Sequence, residues 1–113
     1  MKPLLFLLPI YLLTACSVPN NFTGSKPTPV ANDETKAVLA AKKLYEERKG
    51  MGDDFSNGQC LANDIIPDWS ADIAHQPRLP IDDDVTYQCA AFREGKTHHF
   101  LELDPNGNFL RAY

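Results

Sequence analysis

THHFLELDPNGNFLRAY, residues 97–113, carries the densest structural signal in the chain. In an extended segment His99, Leu101 and Leu103 fall on one face and His98, Phe100 and Glu102 on the other, because successive strand side chains point to opposite sides. Pro105 presets φ, Asn106 tolerates the bridge region and Gly107 supplies a positive φ, the chemistry of a type I turn with a bulge. The chain then returns as a partner strand from Asn108 to Tyr113. Upstream, VTYQCAAFR (85–93) also alternates, with Val85, Tyr87, Cys89 and Ala91 on one side and Glu94-Gly95 as a turn. A three-stranded antiparallel meander over 85–113 is predicted, one face on a core and the other partly wet.

The partner for the apolar face lies nearer the amino terminus. DETKAVLAAKKLYEERKG (33–50) repeats Ala37, Val38, Ala41, Leu44 and Tyr45 at steps of three and four, an amphipathic helix. Asn32 or Asp33 is the expected cap, acids fall in the first turn, Arg48 and Lys49 in the last, and Gly50 is placed to close it. Between helix and meander, Trp69, Ala71, Ile73 and His75 alternate as a strand would, while Asp68, Asp72 and His75 would share one stripe of a short helix starting at Pro67; of the two the strand is preferred. Pro77 and Pro80 make the following QPRLPIDDD a loop or an edge. The fold class is therefore α+β, one N-terminal helix packed on a small antiparallel sheet of about four strands ending in a C-terminal meander. About 80 residues, 33–113, form one domain, since so short a segment supports a single core. The element order resembles cystatin-like and PepSY-like envelope domains, a likeness that implies fold alone.

The first residues read differently. Lys2 precedes the run Leu4 to Leu13, which Pro9 interrupts and which is too short for the roughly 20 residues of a membrane span. Leu13-Thr14-Ala15-Cys16 resembles the lipobox of bacterial lipoprotein signal peptides. The resemblance implies cleavage after Ala15, so that residues 1–15 are the signal peptide, and lipid on the Cys16 thiol. It implies a lipid-anchored protein of the cell envelope. Ser17, where an aspartate commonly retains such proteins at the inner membrane, implies the outer membrane, facing the periplasm. Residues 16–32 hold the lipidated cysteine and SVPNNFTGSKPTPVAN, whose three prolines and few large apolar groups predict a flexible tether. Cleavage removes Lys2, so the mature chain is more acidic than the −4 of the whole sequence. That balance argues against nucleic acid as a partner and leaves the lipid as the membrane attachment.

Three cysteines would leave one over in an exported protein, and lipidation of Cys16 removes the odd one. Cys60 and Cys89 are then expected to form a disulfide in an oxidising compartment, the alternative being two buried thiols. Neither has a second cysteine or a histidine at zinc-ligand spacing.

Other constellations carry weaker chemistry. Asp82-Asp83-Asp84, with Asp64, Asp68 and Asp72, could offer oxygen ligands to calcium, though solvated loop acids are the commoner reading. Asp104 to Asn108 begins like an EF-hand loop, but Phe109 stands where glycine is needed and no glutamate follows. His98 and His99 point to opposite faces of a strand. Ser70, Asp72 and His75 match a triad by type only, because His75 leaves the face that Ser70 and Asp72 share. No catalytic set, metal site or cofactor is expected. The expected role is a protein-binding or assembly module that meets another envelope protein through its wet sheet face, Trp69 and His75, or the loop with Arg78, Asp82, Asp83 and Asp84. Tyr87-Gln88-Cys89 resembles a segment of lysozyme-inhibitor lipoproteins, which implies an enzyme inhibitor as the alternative; the long helix disagrees with that barrel fold. A small ligand-binding or enzymatic domain is the third class, and it would need a deep pocket.

Overall fold

The computed structural model describes residues 29–113, so the signal peptide, Cys16 and residues 17–28 of the expected tether lie outside the described residues. Helix α1 spans Pro29–Gly50. It starts a turn earlier than expected because Pro29 suits a first turn, where no intrahelical N–H is required. Asn32 and Asp33 therefore lie within the helix instead of capping it, no acid falls in its first turn, and Lys36 holds Asp33 at 3.1 Å. At the other end Gly50 is still helical and Gly52, at φ +96°, takes the left-handed position. The Asp53 N–H donates to the Arg48 carbonyl (3.0 Å) and the Gly52 N–H to that of Lys49 (3.1 Å). That is the Schellman pairing, which satisfies two carbonyls left without helical partners.

The sheet holds β1 (Cys60–Ile66), β2 (Trp69–Ile73), β3 (His99–Leu103) and β4 (Phe109–Ala112), in that spatial order. One long helix on four strands is the expected α+β class, and β3 and β4 form the expected hairpin, antiparallel with Glu102 opposite Arg111. The expectation of an antiparallel sheet throughout is corrected: β1 and β2 are antiparallel, but β2 and β3 run parallel, Asp72 beside Glu102. Parallel neighbours need a long crossover, and residues 74–98 supply it through a 3₁₀ turn (Pro80–Asp83) and a short helix, α2 (Ala90–Arg93).

Residues 85–93 are accordingly no strand, and the meander has two strands in place of three. The Asp84 carboxylate accepts from the Thr86 N–H (2.9 Å) and the Asp84 carbonyl from that of Tyr87 (3.0 Å), which folds the chain into a turn. Ala-Ala-Phe-Arg then closes a helical turn, in which the Glu94 N–H reaches the Ala90 carbonyl at 2.9 Å. The alternation of this segment does not track burial, for Val85 is 60% exposed.

The core lies between α1 and one sheet face. Ala37, Ala41 and Tyr45 face Trp69, Ala71, Ile73, Leu101 and Leu103, with Phe55 from the α1–β1 connection beside Tyr45 at 5.0 Å. Each fully buried Leu or Ile here contributes about 1.5–3 kcal/mol. The opposite face carries Ser70, Asp72, Phe100 and Glu102 by strand alternation, and the crossover packs over part of it.

Candidate functional site

On that second face four residues stand in one row across the sheet: Cys60 on β1, Asp72 on β2, Glu102 on β3 and Arg111 on β4. Two carboxylates side by side repel. The molecule resolves this by pairing Glu102, which is 3% exposed, with the guanidinium groups of Arg111 and, at 3.1 Å, Arg78 from the crossover. Arg78 also holds Asp83 at 2.9 Å and donates to the Asp82 carbonyl. Among the described residues Asp72 makes no such ion pair, although the Arg78 charge acts on it from a distance. Its carboxylate accepts from the Ile73 N–H at 3.0 Å, and burial, with the neighbouring Glu102 charge, pushes its pKa up to about 7.

Above this row the crossover closes a cavity of about 230 Å³, lined by Asp72, Glu102 and Phe100 from the sheet and by Arg78, Gln88, Cys89, Phe92 and Arg93 from the crossover. Its wall is fixed by the Cys60–Cys89 disulfide, so the expected pairing of these cysteines is present. The bridge spans 29 residues and by loop entropy contributes about 3.5 kcal/mol. Phe92 packs tilted against Phe100 (4.4 Å, 54° between ring planes) and Phe100 stacks on Tyr113 (4.8 Å), a ladder of three rings that runs from the cavity onto the surface. Arg111 lies 6.0 Å over the Tyr113 ring.

The other sequence-selected residues are dispersed. Trp69 is a correction: it is 3% exposed, belongs to the core and stacks on His99 at 4.8 Å, so it offers no surface for docking. Asp82 likewise points inward. Its carboxylate takes the His75 ring Nδ1 at 2.8 Å and the backbone N–H groups of His75 and Leu79, while the second His75 nitrogen meets the Ser56 carbonyl at 2.8 Å. Arg78, Asp83 and Asp84 stay exposed, but Asp83 serves Arg78 and Asp84 serves the Thr86 turn. The three consecutive aspartates thus have three separate tasks, and among the described residues no three His, Cys, Asp or Glu side chains are placed to share a metal ion.

Ser70, Asp72 and His75 part company: the Ser70 hydroxyl pairs with that of Thr97 (2.6 Å) and with the Asn63 carbonyl (2.8 Å), and His75 belongs to Asp82. His98 and His99 both turn to Asp68, His98 Nδ1 at 2.6 Å and His99 Nε2 at 4.0 Å. Asp68 sits at the β1–β2 turn with φ +69°, a conformation aspartate tolerates better than most residues. A second hollow, of about 350 Å³, borders His75 and Asp104, but His75 has both ring nitrogens engaged. Asp104 is likewise spent on the hairpin turn, where its carboxylate accepts from the Asn106 and Asn108 N–H groups.

The residues that sequence reasoning passed over are Phe92, Arg93, Arg111 and Tyr113. Alternation in 97–104 pointed to Phe100 and Glu102 on one face, whereas Phe92 and Arg93 reach that face only through the crossover. Comparison with protein-family models, curated proteins and solved structures finds no match to this chain.

Proposed function

We propose that this chain is a small membrane-anchored envelope lipoprotein, lipidated on Cys16 and facing the periplasm from the outer membrane, whose folded domain is a protein-binding module. The observation that carries the reading is the three-ring ladder on the second sheet face. Phe92 is 38% and Tyr113 59% exposed, and aromatic rings flanked by arginines are the composition of binding hot spots. The face is also rigid: a disulfide, a buried ion-pair cluster and a backbone-paired hairpin hold it, so a partner would meet it with little ordering cost.

The test is site-specific photo-crosslinking in intact cells. A photoreactive phenylalanine analogue at Tyr113 or Phe92 is expected to give an adduct with one and the same envelope protein, while the same group at Leu39, 64% exposed on α1, gives none. Phe92→Ala is expected to weaken the adduct formed from position 113. Equal labelling from Leu39, or no adduct from either aromatic position, overturns the proposal.

A further inference from the structure

The cavity beside the ladder carries charges that the fold leaves unmatched. Glu102 is neutralised twice, by Arg78 and Arg111, and Arg78 is itself divided between Glu102 and Asp83. Two lining groups remain. Asp72, on the sheet floor, has among the described residues only a backbone N–H, that of Ile73, for a hydrogen-bond partner. Arg93, on the α2 wall, donates one N–H to the Val85 carbonyl (2.8 Å); its charge is felt by Glu94 next to it in sequence, but among the described residues no carboxylate of the cavity pairs with it. The rings of Phe92 and Phe100 line the same space.

An unmatched carboxylate on the floor, an unmatched guanidinium on the wall and two aromatic rings make a receptor for a short zwitterion. An ammonium on Asp72 gains a charge-assisted hydrogen bond in a desolvated site and the attraction of aromatic faces. A carboxylate on Arg93 can pair with its planar fork. An α-amino acid carries its ammonium and carboxylate on one carbon, with no apolar stem between the two charges to lay against the rings. A longer chain with ammonium and carboxylate at opposite ends does. The volume, about 230 Å³, is below the range of drug-sized sites and suits one side chain.

We propose that this cavity receives the carboxy-terminal lysine of a partner chain, its ε-ammonium on Asp72, its methylenes against Phe92 and Phe100, and its terminal carboxylate on Arg93. This rests on the reading of the face as a recognition surface and names what the partner presents. Binding is coupled to protons, because Asp72 must be ionised to hold the ammonium. The charges that act on Asp72 are Glu102 from β3, Arg78 from the loop and Asp82 from the 3₁₀ turn, and Arg93 from α2 lines the same cavity. Burial holds the Asp72 pKa up at about 7, so affinity rises with pH through that region and levels off above it.

The experiment is calorimetry on the full chain in detergent with ε-aminocaproate, which reproduces the lysine end without its α-nitrogen, against n-hexylamine and caproate, each lacking one charge. ε-Aminocaproate is expected to bind at least about tenfold more tightly than either, and Asp72→Asn and Arg93→Gln to remove about tenfold each. A peptide ending in free lysine is expected to bind and its carboxamide to lose about tenfold. No binding of ε-aminocaproate, equal binding of the single-charge analogues, equal binding of the carboxamide, or undiminished binding by both variants overturns the proposal. Arg93 is exposed, so Arg93→Gln keeps the fold and remains informative if Asp72→Asn does not. The crosslinking from Tyr113 would stand even if the cavity rejects these ligands, so the two readings fail separately.

Discussion

At the scale of single residues, the described part of the molecule spends its charged side chains as struts, and His75 shows the consequence for pH. Both its ring nitrogens face acceptors, the Asp82 carboxylate and the Ser56 carbonyl. A neutral imidazole can donate to only one of them, so the bond to Asp82 raises the His75 pKa above its ordinary 6.5. For Asp82 burial pulls upward, but the N–H groups of Leu79 and His75 and the ring outweigh it and hold the carboxyl below 3.8. A raised histidine pKa contributes stability that is complete below about pH 6.5 and lost as pH climbs through the folded value; a lowered aspartate contributes stability lost as pH falls through its own. The pair is therefore strongest between these limits. Asp72 acts in an overlapping window, since its raised pKa erodes stability as pH rises from 3.8 toward 7, so the pair must be read by difference. Asp82→Asn is expected to cost on the order of 2 kcal/mol near pH 5 and distinctly less above pH 8, measured by urea unfolding of both proteins across pH. A difference that grows with pH would contradict this account.

At the scale of elements, legibility followed how local the determinants are. The α1 stripe and the turn after β3 are written in consecutive residues, and both are found in the structure. The crossover was not legible. Whether VTYQCAAFR extends or coils depends on Cys89 bonding to Cys60 and Tyr87 pairing once with Cys60 through the backbone at 2.6 Å, contacts set by tertiary structure that act with the local Asp84 turn to outvote a weak β preference. The site suffered the same fate, because its floor is strand-patterned and half visible while its wall arrives with the crossover. The hairpin tip, by contrast, can be tested directly. Gly107 has φ +84°, and a Cβ there would lie 2.5 Å from Tyr45 Cε1, the ring whose hydroxyl donates to the Pro105 carbonyl at 2.7 Å. Gly107→Ala is expected to destabilise by roughly 1–3 kcal/mol, combining a strained φ with displacement of that ring. Tyr45→Phe removes the hydrogen bond alone and should cost about 1 kcal/mol. A Gly107→Ala penalty no larger than that of Tyr45→Phe in thermal unfolding would mean the tip does not press on α1.

At the scale of the whole molecule, a recognition face is useful only if the domain is held where its partner is, and the proposed anchor is Cys16. Among the described residues no helix is long and apolar enough to cross a membrane, and the chain's net charge of −4 gives no electrostatic pull toward anionic lipid. Acyl chains contribute about 0.8 kcal/mol per buried methylene, and one chain binds only reversibly where two or more hold firmly. With Cys16 as the proposed lipid site, the wild-type protein is expected to incorporate labelled fatty acid and to sediment with outer membranes. Cys16→Ala should then abolish labelling and leave the precursor uncut, because the lipoprotein peptidase acts on the lipidated cysteine. Replacing residues 1–16 by an ordinary secretory signal should release a periplasmic domain that keeps the Cys60–Cys89 bond, because that bond and the core of the described residues are built from residues 37–112. The released domain separates anchoring from recognition: it should still bind ε-aminocaproate while losing the in-cell adduct from position 113 to an outer-membrane partner, since delivery and not the site has been removed. Unlabelled wild-type protein in the soluble fraction would refute the anchor and leave the binding face to be explained in a freely diffusing protein.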